Sequence, residues 1–417
     1  MEKTNKTTGN LLEDAFNFWL SKQDQYEKYI IIEPHGGFGN VFHAVNSAVV
    51  LSILTNRAMV IDWEGCAFDQ FGPPLSDLCL EKVLKRNDNF SRKFNKFQSA
   101  RMEVQLRDTV CLKVRCHASK QYKNEKDKMK FGHYPDLVRF DFNLKWKNDI
   151  IYIKASNYFV GFLFMNKIYA AQLLNFQKSN KYLYPKILSL MFRPVARIQK
   201  VIDKFVEENL NGGECISVFA RTTGFKGPVT EYMHFFRSSV DAKRLLGSQH
   251  FDCAKRFFSK KLASNTTIFV ASLYKEVKSY FKANHGNVVY LSDDVGAEYA
   301  VINRDYSVID MYLLARCKYA IYSYSSTFGQ VARALPTHIQ EMYQTNTPTL
   351  SDGITPVIDG IGKTLYRVEG DCKSIKSQEA CSAPWVRWLN TNQTSQFYEV
   401  AHAKTKFPDT FQHGRSC

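Results

Sequence analysis

The chain contains no C-x-x-C pair, no D-x-D triplet and no complete G-x-G-x-x-G. The first absence leaves zinc and thioredoxin-type readings with little support. The second leaves Asp293-Asp294, after an apolar stretch, reading as a helix cap and not as a metal site. The third weakens a nicotinamide reading. No apolar run approaches the length of a bilayer span, and the opening MEKTNKTTGNLLEDAFNFWL lacks the apolar stretch of a signal peptide. Taken alone, that predicts no route into the secretory pathway. Internal repeats and low-complexity tracts are also missing.

Acidic residues are scarce. Forty Asp and Glu oppose 56 Lys and Arg, a formal net charge of +16 at pI about 9.2. Such a field attracts anions. The excess concentrates in residues 82–101 and 120–130, neither of which carries a recognisable basic motif. A solvated basic surface is therefore expected there, and nucleic-acid binding is not.

What is present is α/β. At 417 residues the chain is long for one core, so two domains are expected. Residues 11–29 read as an amphipathic lead-in helix with Leu12, Ala15, Phe16 and Leu20 on one side. Tyr29-Ile30-Ile31-Ile32 is a short apolar run typical of a strand buried on both faces. A helix over residues 40–54 follows, broken at Asn56-Arg57, and then a strand ending at Asp62, near where a dinucleotide fold places its ribose acid. Residues 65–148 are irregular, basic and aromatic, with no legible elements. From residue 215 to 335, strands alternate with helices, which predicts a parallel sheet. The expected division is a lead-in helix (1–28), an N-terminal lobe (29–210), a C-terminal Rossmann-like lobe (211–345) and a tail (346–417), with a boundary at Asn211-Gly212-Gly213.

Three strand-to-helix corners carry the chemistry. The loop His35-Gly36-Gly37-Phe38-Gly39-Asn40 has glycines where a chain turns tightly and approaches a ligand. Arg221 ends an apolar strand, followed by Thr222, Thr223 and Gly224. There an arginine can grip a diphosphate with two parallel N–H bonds. Ser325-Ser326-Thr327-Phe328 offers more hydroxyls than capping a helix needs. Each corner has a plain structural reading: a tight turn, a salt bridge, an N-cap. Together they suggest a nucleoside diphosphate, because unpaired N–H groups at helix starts attract phosphate. His35 is nominated as general base.

At this point the chain resembles the fucosyltransferase superfamily that uses GDP-fucose, most closely the plant xyloglucan α-1,2-fucosyltransferase type. The resemblance rests on HGGFGNVFHAVNSAVVLSILTNRAMVID, IIYIKASNYFV, ISVFAR and VIDMYLLARCKYAIYSYSSTFGQVARAL, in family order. It implies a GT-B-like fold of two facing Rossmann-like lobes with the donor cleft between them. The implied activity is metal-independent inverting transfer of fucose from GDP-fucose to a glycan hydroxyl, α-1,2 to a galactoside, with no cofactor. It carries Arg221 over as the β-phosphate grip. Thr223, Ser325, Ser326, Thr327 and Phe328 become further donor contacts, and Gly37, Phe38, Gly39 and Asn40 contact the donor from the first lobe. After Asn40 the family often has Arg or Gln, whereas this chain has Val41. A non-catalytic binder on the same fold is the alternative.

The ten cysteines and the sequons at Asn5, Asn89, Asn265 and Asn392 bear on compartment. Cys66/Cys79, Cys111/Cys116 and Cys372/Cys381 are close in sequence, and the last pair brackets a polar loop that a disulfide would close. Cys215 and Cys317 lie in apolar stretches and are expected as buried thiols. The resemblance implies the Golgi lumen. The missing anchor, through which alone membrane association would come, implies the cytoplasm.

Overall fold

The computed structural model describes residues 10–63, 68–103, 141–145, 148–156, 158–179, 183–210, 214–221, 240–291, 304–323, 326–335, 341–345, 356–358, 364–366 and 372–374. The chain forms two compact units, the first running to Val195 and the second beginning at Ala196. The boundary therefore precedes the helix Ala196–Asn209 and does not fall at Asn211-Gly212-Gly213. The physical reason is packing. Val195 still donates to Gln70 O at 2.9 Å in the first unit, while the next helix packs on the second.

The first unit is built on a parallel sheet ordered β2-β1-β3, comprising β1 (Tyr29–Pro34), β2 (Ala58–Ile61) and β3 (Ile150–Ala155). β1 lies between the other two, so both its faces and both its edges are covered. Ile30, Ile31 and Ile32 have no exposed surface. That accounts for the continuous apolar run. The helix α1 (Leu11–Ser21) buries Leu12, Phe16 and Trp19, with Trp19 the largest buried side chain, in place of the expected Ala15 and Leu20. Its indole N–H donates to Arg57 O at 2.8 Å. Just beyond it, Gln23 Oε1 accepts from Met59 N at 3.0 Å, occupying an N–H of the edge strand β2.

The helix α2 (Phe38–Thr55) links β1 to β2 and ends at Asn56 in the left-handed region, φ 52°. Asn tolerates that conformation, and its N–H caps the helix carbonyls. α2 is long and apolar enough to cross a membrane, but 89% of it is buried, which makes it a core helix. Part of the illegible stretch proves helical: α3 (Leu80–Arg86) and α4 (Asp88–Glu103). Phe90, Phe94 and Phe97 recur at helical spacing and stack in sequence onto Tyr152, with centroids 5.5, 6.3 and 6.1 Å apart. Arg92 and Lys96 are exposed, so this basic stretch is the solvated side of a packed helix. The unit continues with α5 (Val160–Phe164), α6 (Ala170–Ser179) and α7 (Leu183–Met191).

The second unit opens with α8 (Ala196–Asn209). Its six-stranded sheet is ordered β11-β8-β7-β4-β5-β6. The strands are β4 (Ile216–Phe219), β5 (Ile268–Ala271), β6 (Val288–Val289), β7 (Tyr319–Ser323), β8 (Glu341–Thr345) and β11 (Cys372–Ser374). The short strands β9 (Pro356–Ile358) and β10 (Thr364–Tyr366) form a separate pair. All five strands from β4 to β8 run parallel, and β11 is antiparallel to β8. β11 therefore draws part of the expected tail into the second sheet. The connecting helices are α9 (Val240–Ala263), α10 (Lys275–Asn284), α11 (Arg304–Leu314) and α12 (Thr327–Ala334).

Cys215 and Cys317 are not thiols, contrary to expectation. They form a disulfide across 102 residues, with Cα atoms 4.8 Å apart. The reason is topological: each immediately precedes or lies just ahead of one of two paired strands, since Ile216 is in register with Tyr319. Cys253 on α9 is disulfide-bonded as well. Cys381 lies outside the described residues.

Candidate functional site

The second sheet has a point where its winding reverses. From β4 the chain steps outward through β5 to β6, then returns to place β7 on the other side of β4. In open parallel sheets, the carboxyl ends of the strands flanking such a reversal form a crevice that binds ligands. Here those strands are β4 and β7. The segments leaving them are Ala220-Arg221 and Ser326-Thr327-Phe328. The structure thus brings together Arg221 and the hydroxyl turn, two corners about a hundred residues apart in sequence.

The corner is held by packing and by serine side chains. The rings of Phe219 and Phe328 stack at 4.9 Å. A Cβ added to Gly329 would lie 3.3 Å from Phe219 Cδ1 and 3.4 Å from Tyr322 Cβ. Glycine is therefore what lets α12 start so close to the sheet. Ser326 is its N-cap, accepting at 3.5 Å from Gly329 N, which identifies Thr327 and Phe328 as the first residues of the helix. The unpaired N–H groups of such a turn attract anions. On the neighbouring strand, the peptide joining Ala220 to Arg221 is bonded at both ends. Ser272 Oγ donates to Ala220 O at 2.7 Å, and Arg221 N donates to Ser323 Oγ at 2.8 Å. Arg221 is itself half-buried. Thr223 and Ser325 lie outside the described residues, as does Asp293-Asp294.

The glycine corner belongs to the first unit. His35 N donates to Ala155 O at 3.0 Å, extending the β1–β3 ladder by one bond. Gly36 has φ +97°, and a Cβ there would lie 2.4 Å from Asn40 Nδ2. The positive φ calls for glycine, and a Cβ would also push the Asn40 amide aside. The Asn40 side chain is folded back over this turn. Gly37 is the N-cap of α2, and a Cβ there would meet open space. The helix therefore starts at Phe38, placing Gly39 and Asn40 in its first turn. Phe38 packs inward, its ring 5.7 Å from Trp63 and 6.2 Å from Phe42. What it offers a ligand is backbone. Val41 is fully buried in α2.

Asp62 has partners other than a ribose. At the carboxyl end of the first sheet the Tyr152 hydroxyl sits 2.6 Å from Glu33 Oε2 and 2.9 Å from Asp62 Oδ2, and Lys154 pairs with Glu33. Burial first, then the two carboxylates, hold the Tyr152 hydroxyl above its usual range. Sequence reasoning missed this cluster. The signal was available in the alternation of β1 and β3, which puts Glu33, Tyr152 and Lys154 on one face.

Among the described residues, no group of three or more His, Cys, Asp and Glu is placed to hold a metal ion. No family model matches the chain, and no curated protein sequence does. Solved structures do. FUT1 of Arabidopsis thaliana, solved as an arginine-to-lysine mutant in complex with GDP, is similar over 88% of this chain and 79% of its own. The TM-score is 0.55 at 16% identity. NodZ α-1,6-fucosyltransferase of Bradyrhizobium, soaked with GDP-fucose, covers 82% of this chain and 99% of its own, with TM-score 0.44 and 17% identity. POFUT1 in complex with GDP covers 75% and 96%, with TM-score 0.41 and 13% identity. At such identities a likeness speaks for the fold, and the first comparison carries it. The chain has a GT-B-like α/β fold, with two units that each contain a parallel sheet.

Proposed function

We propose that the chain is a fucosyltransferase that moves L-fucose from GDP-fucose to a glycan hydroxyl by inverting transfer without a divalent metal. The observation that carries this reading is the reversal point of the second sheet. There Arg221 and the Ser326-capped start of α12 leave the ends of two paired strands. The structural likeness to a GDP complex supports the same chemistry, and the resemblance of the segments ISVFAR and YSYSSTFG favours the xyloglucan α-1,2 type, for which a galactoside is the acceptor we propose.

The roles follow from charge. As the bond between fucose C1 and the β-phosphate oxygen breaks, both its electrons stay on GDP and the sugar carbon becomes cationic. Arg221 and the N–H groups of α12 stabilise the charge that accumulates on the diphosphate, which is the largest electrostatic contribution available. The acceptor oxygen attacks C1, and its proton passes to a base, for which His35 is our nomination. Gly37, Gly39 and Asn40 join the proposal through the backbone of their turn. Thr223 and Ser325 flank the arginine and hydroxyl corners and are assigned to the donor. The luminal compartment is part of the same proposal. Disulfides persist in oxidising compartments, and Asn265 of the sequon Asn265-Thr266-Thr267 is exposed at a left-handed turn, φ 55°.

Labelled GDP-fucose offered with galactose-terminated glycans in EDTA tests the activity. Fucosylated product and free GDP are expected at undiminished rates. A strict manganese requirement would overturn the metal-free mechanism. GDP-fucose binding with neither transfer nor hydrolysis would leave the non-catalytic binder.

A further inference from the structure

We infer that His250 is a positioning residue for Arg221: its neutral imidazole fixes the Ser323 hydroxyl in the orientation that accepts the Arg221 backbone N–H. The inference rests on the reading that Arg221 grips the donor's diphosphate.

His250 lies on α9 with no exposed surface. Its Nδ1 is 2.9 Å from Leu246 O. A carbonyl can only accept, so Nδ1 carries the proton. Burial keeps the ring neutral by pushing its pKa down to about 4, which leaves Nε2 as a bare acceptor. Ser323 Oγ lies 3.0 Å from that nitrogen and donates to it. With its hydrogen committed there, the serine oxygen turns lone-pair density to the Arg221 N–H at 2.8 Å. The competing acceptor for the Ser323 hydrogen, Phe219 O, is farther away at 3.3 Å.

The relay matters because the strand pairing has already ended. Phe219 and Tyr322 are the last partners in the β4–β7 register, and Arg221 lies two residues further on. Beyond the ladder, the Ala220–Arg221 peptide is oriented by two serines, Ser272 at its carbonyl and Ser323 at its N–H. Ser272 needs no help to donate. Ser323 must accept, and a hydroxyl accepts well only when its own hydrogen is placed elsewhere. A long side chain magnifies a tilt at this peptide, and catalytic groups have to be held within about 0.5 Å of the productive geometry.

A buried histidine that only fills the core would also destabilise the protein when replaced, so stability alone does not discriminate. Coupling does. Turnover of GDP-fucose is measured for the full chain, His250→Phe, Arg221→Lys and the double variant, with thermal melts for each. His250→Phe is expected to lower kcat about tenfold in the otherwise natural chain and by less than about twofold once Arg221 is already lysine, because contacts acting through one group are not additive. Ser323→Ala keeps the imidazole and removes only the link. It is expected to show the same pattern, and it carries the test if His250→Phe does not fold. Equal losses in both backgrounds, or no loss from either variant, would overturn the relay. If Arg221→Lys itself turned over normally, the diphosphate reading would fall and the relay with it, an outcome distinct from additive losses on an impaired Arg221→Lys.

Discussion

Arg221→Lys is expected to lower fucosyl transfer by roughly two orders of magnitude while leaving the fold intact. Lysine keeps the positive charge but presents it as a single point, losing the planar two-pronged grip on a diphosphate. Loss of one well-placed donor to a developing charge costs about this much in other enzymes. The fold should survive because the bond from residue 221 to Ser323 is made by its backbone N–H, which the substitution does not touch. GDP release measured at saturating acceptor is the assay. A folded Arg221→Lys protein with near-normal turnover would make Arg221 a structural residue and remove the central element of the site.

The second large effect is on stability. Replacing Cys215 and Cys317 together by serine removes a cross-link that closes a separation of 102 residues. Chain-entropy arguments put such a bridge at roughly 4–5 kcal/mol, with native bridges commonly delivering about 2–5. A fall in Tm on the order of 10 °C is expected. GDP affinity in the remaining folded protein should change little. The bridge lies at the amino ends of β4 and β7, whereas Arg221 and Ser326 follow their carboxyl ends. Melts of the natural and the double-serine chain, run alongside non-reducing peptide mapping, decide it. Indistinguishable melts with both cysteines found as thiols would contradict the bridge and, with it, the luminal compartment.

Local pattern made some of this legible and strand order hid the rest. The run Tyr29-Ile30-Ile31-Ile32, the break at Asn56-Arg57 and the alternation after residue 215 are read from neighbours in sequence, and each stands where expected. Helix α4 escaped because its stripe of Phe90, Phe94 and Phe97 sits among many charges, so the apolar face is narrow. Pairing of β4 with β7 skips over β5 and β6, and no local signal announces it. Everything that depends on that pairing was therefore invisible: the Cys215–Cys317 bridge, the reversal point and the contact of His250 with Ser323 across 73 positions. Arg221 and Ser326 read locally as separate corners, and only their common chemistry and the resemblance assign them to one ligand. The partner of Asp62 was hidden for a related reason, since Tyr152 lies 90 residues away.

Calorimetric titration of GDP into the full chain in EDTA, with Arg221→Lys titrated in parallel, tests the central claim most directly. Saturable binding of GDP to the natural chain without metal, clearly weakened by the lysine, is the predicted result. No binding of GDP, binding that appears only with manganese, or equal affinity for both proteins would contradict a diphosphate site built on Arg221.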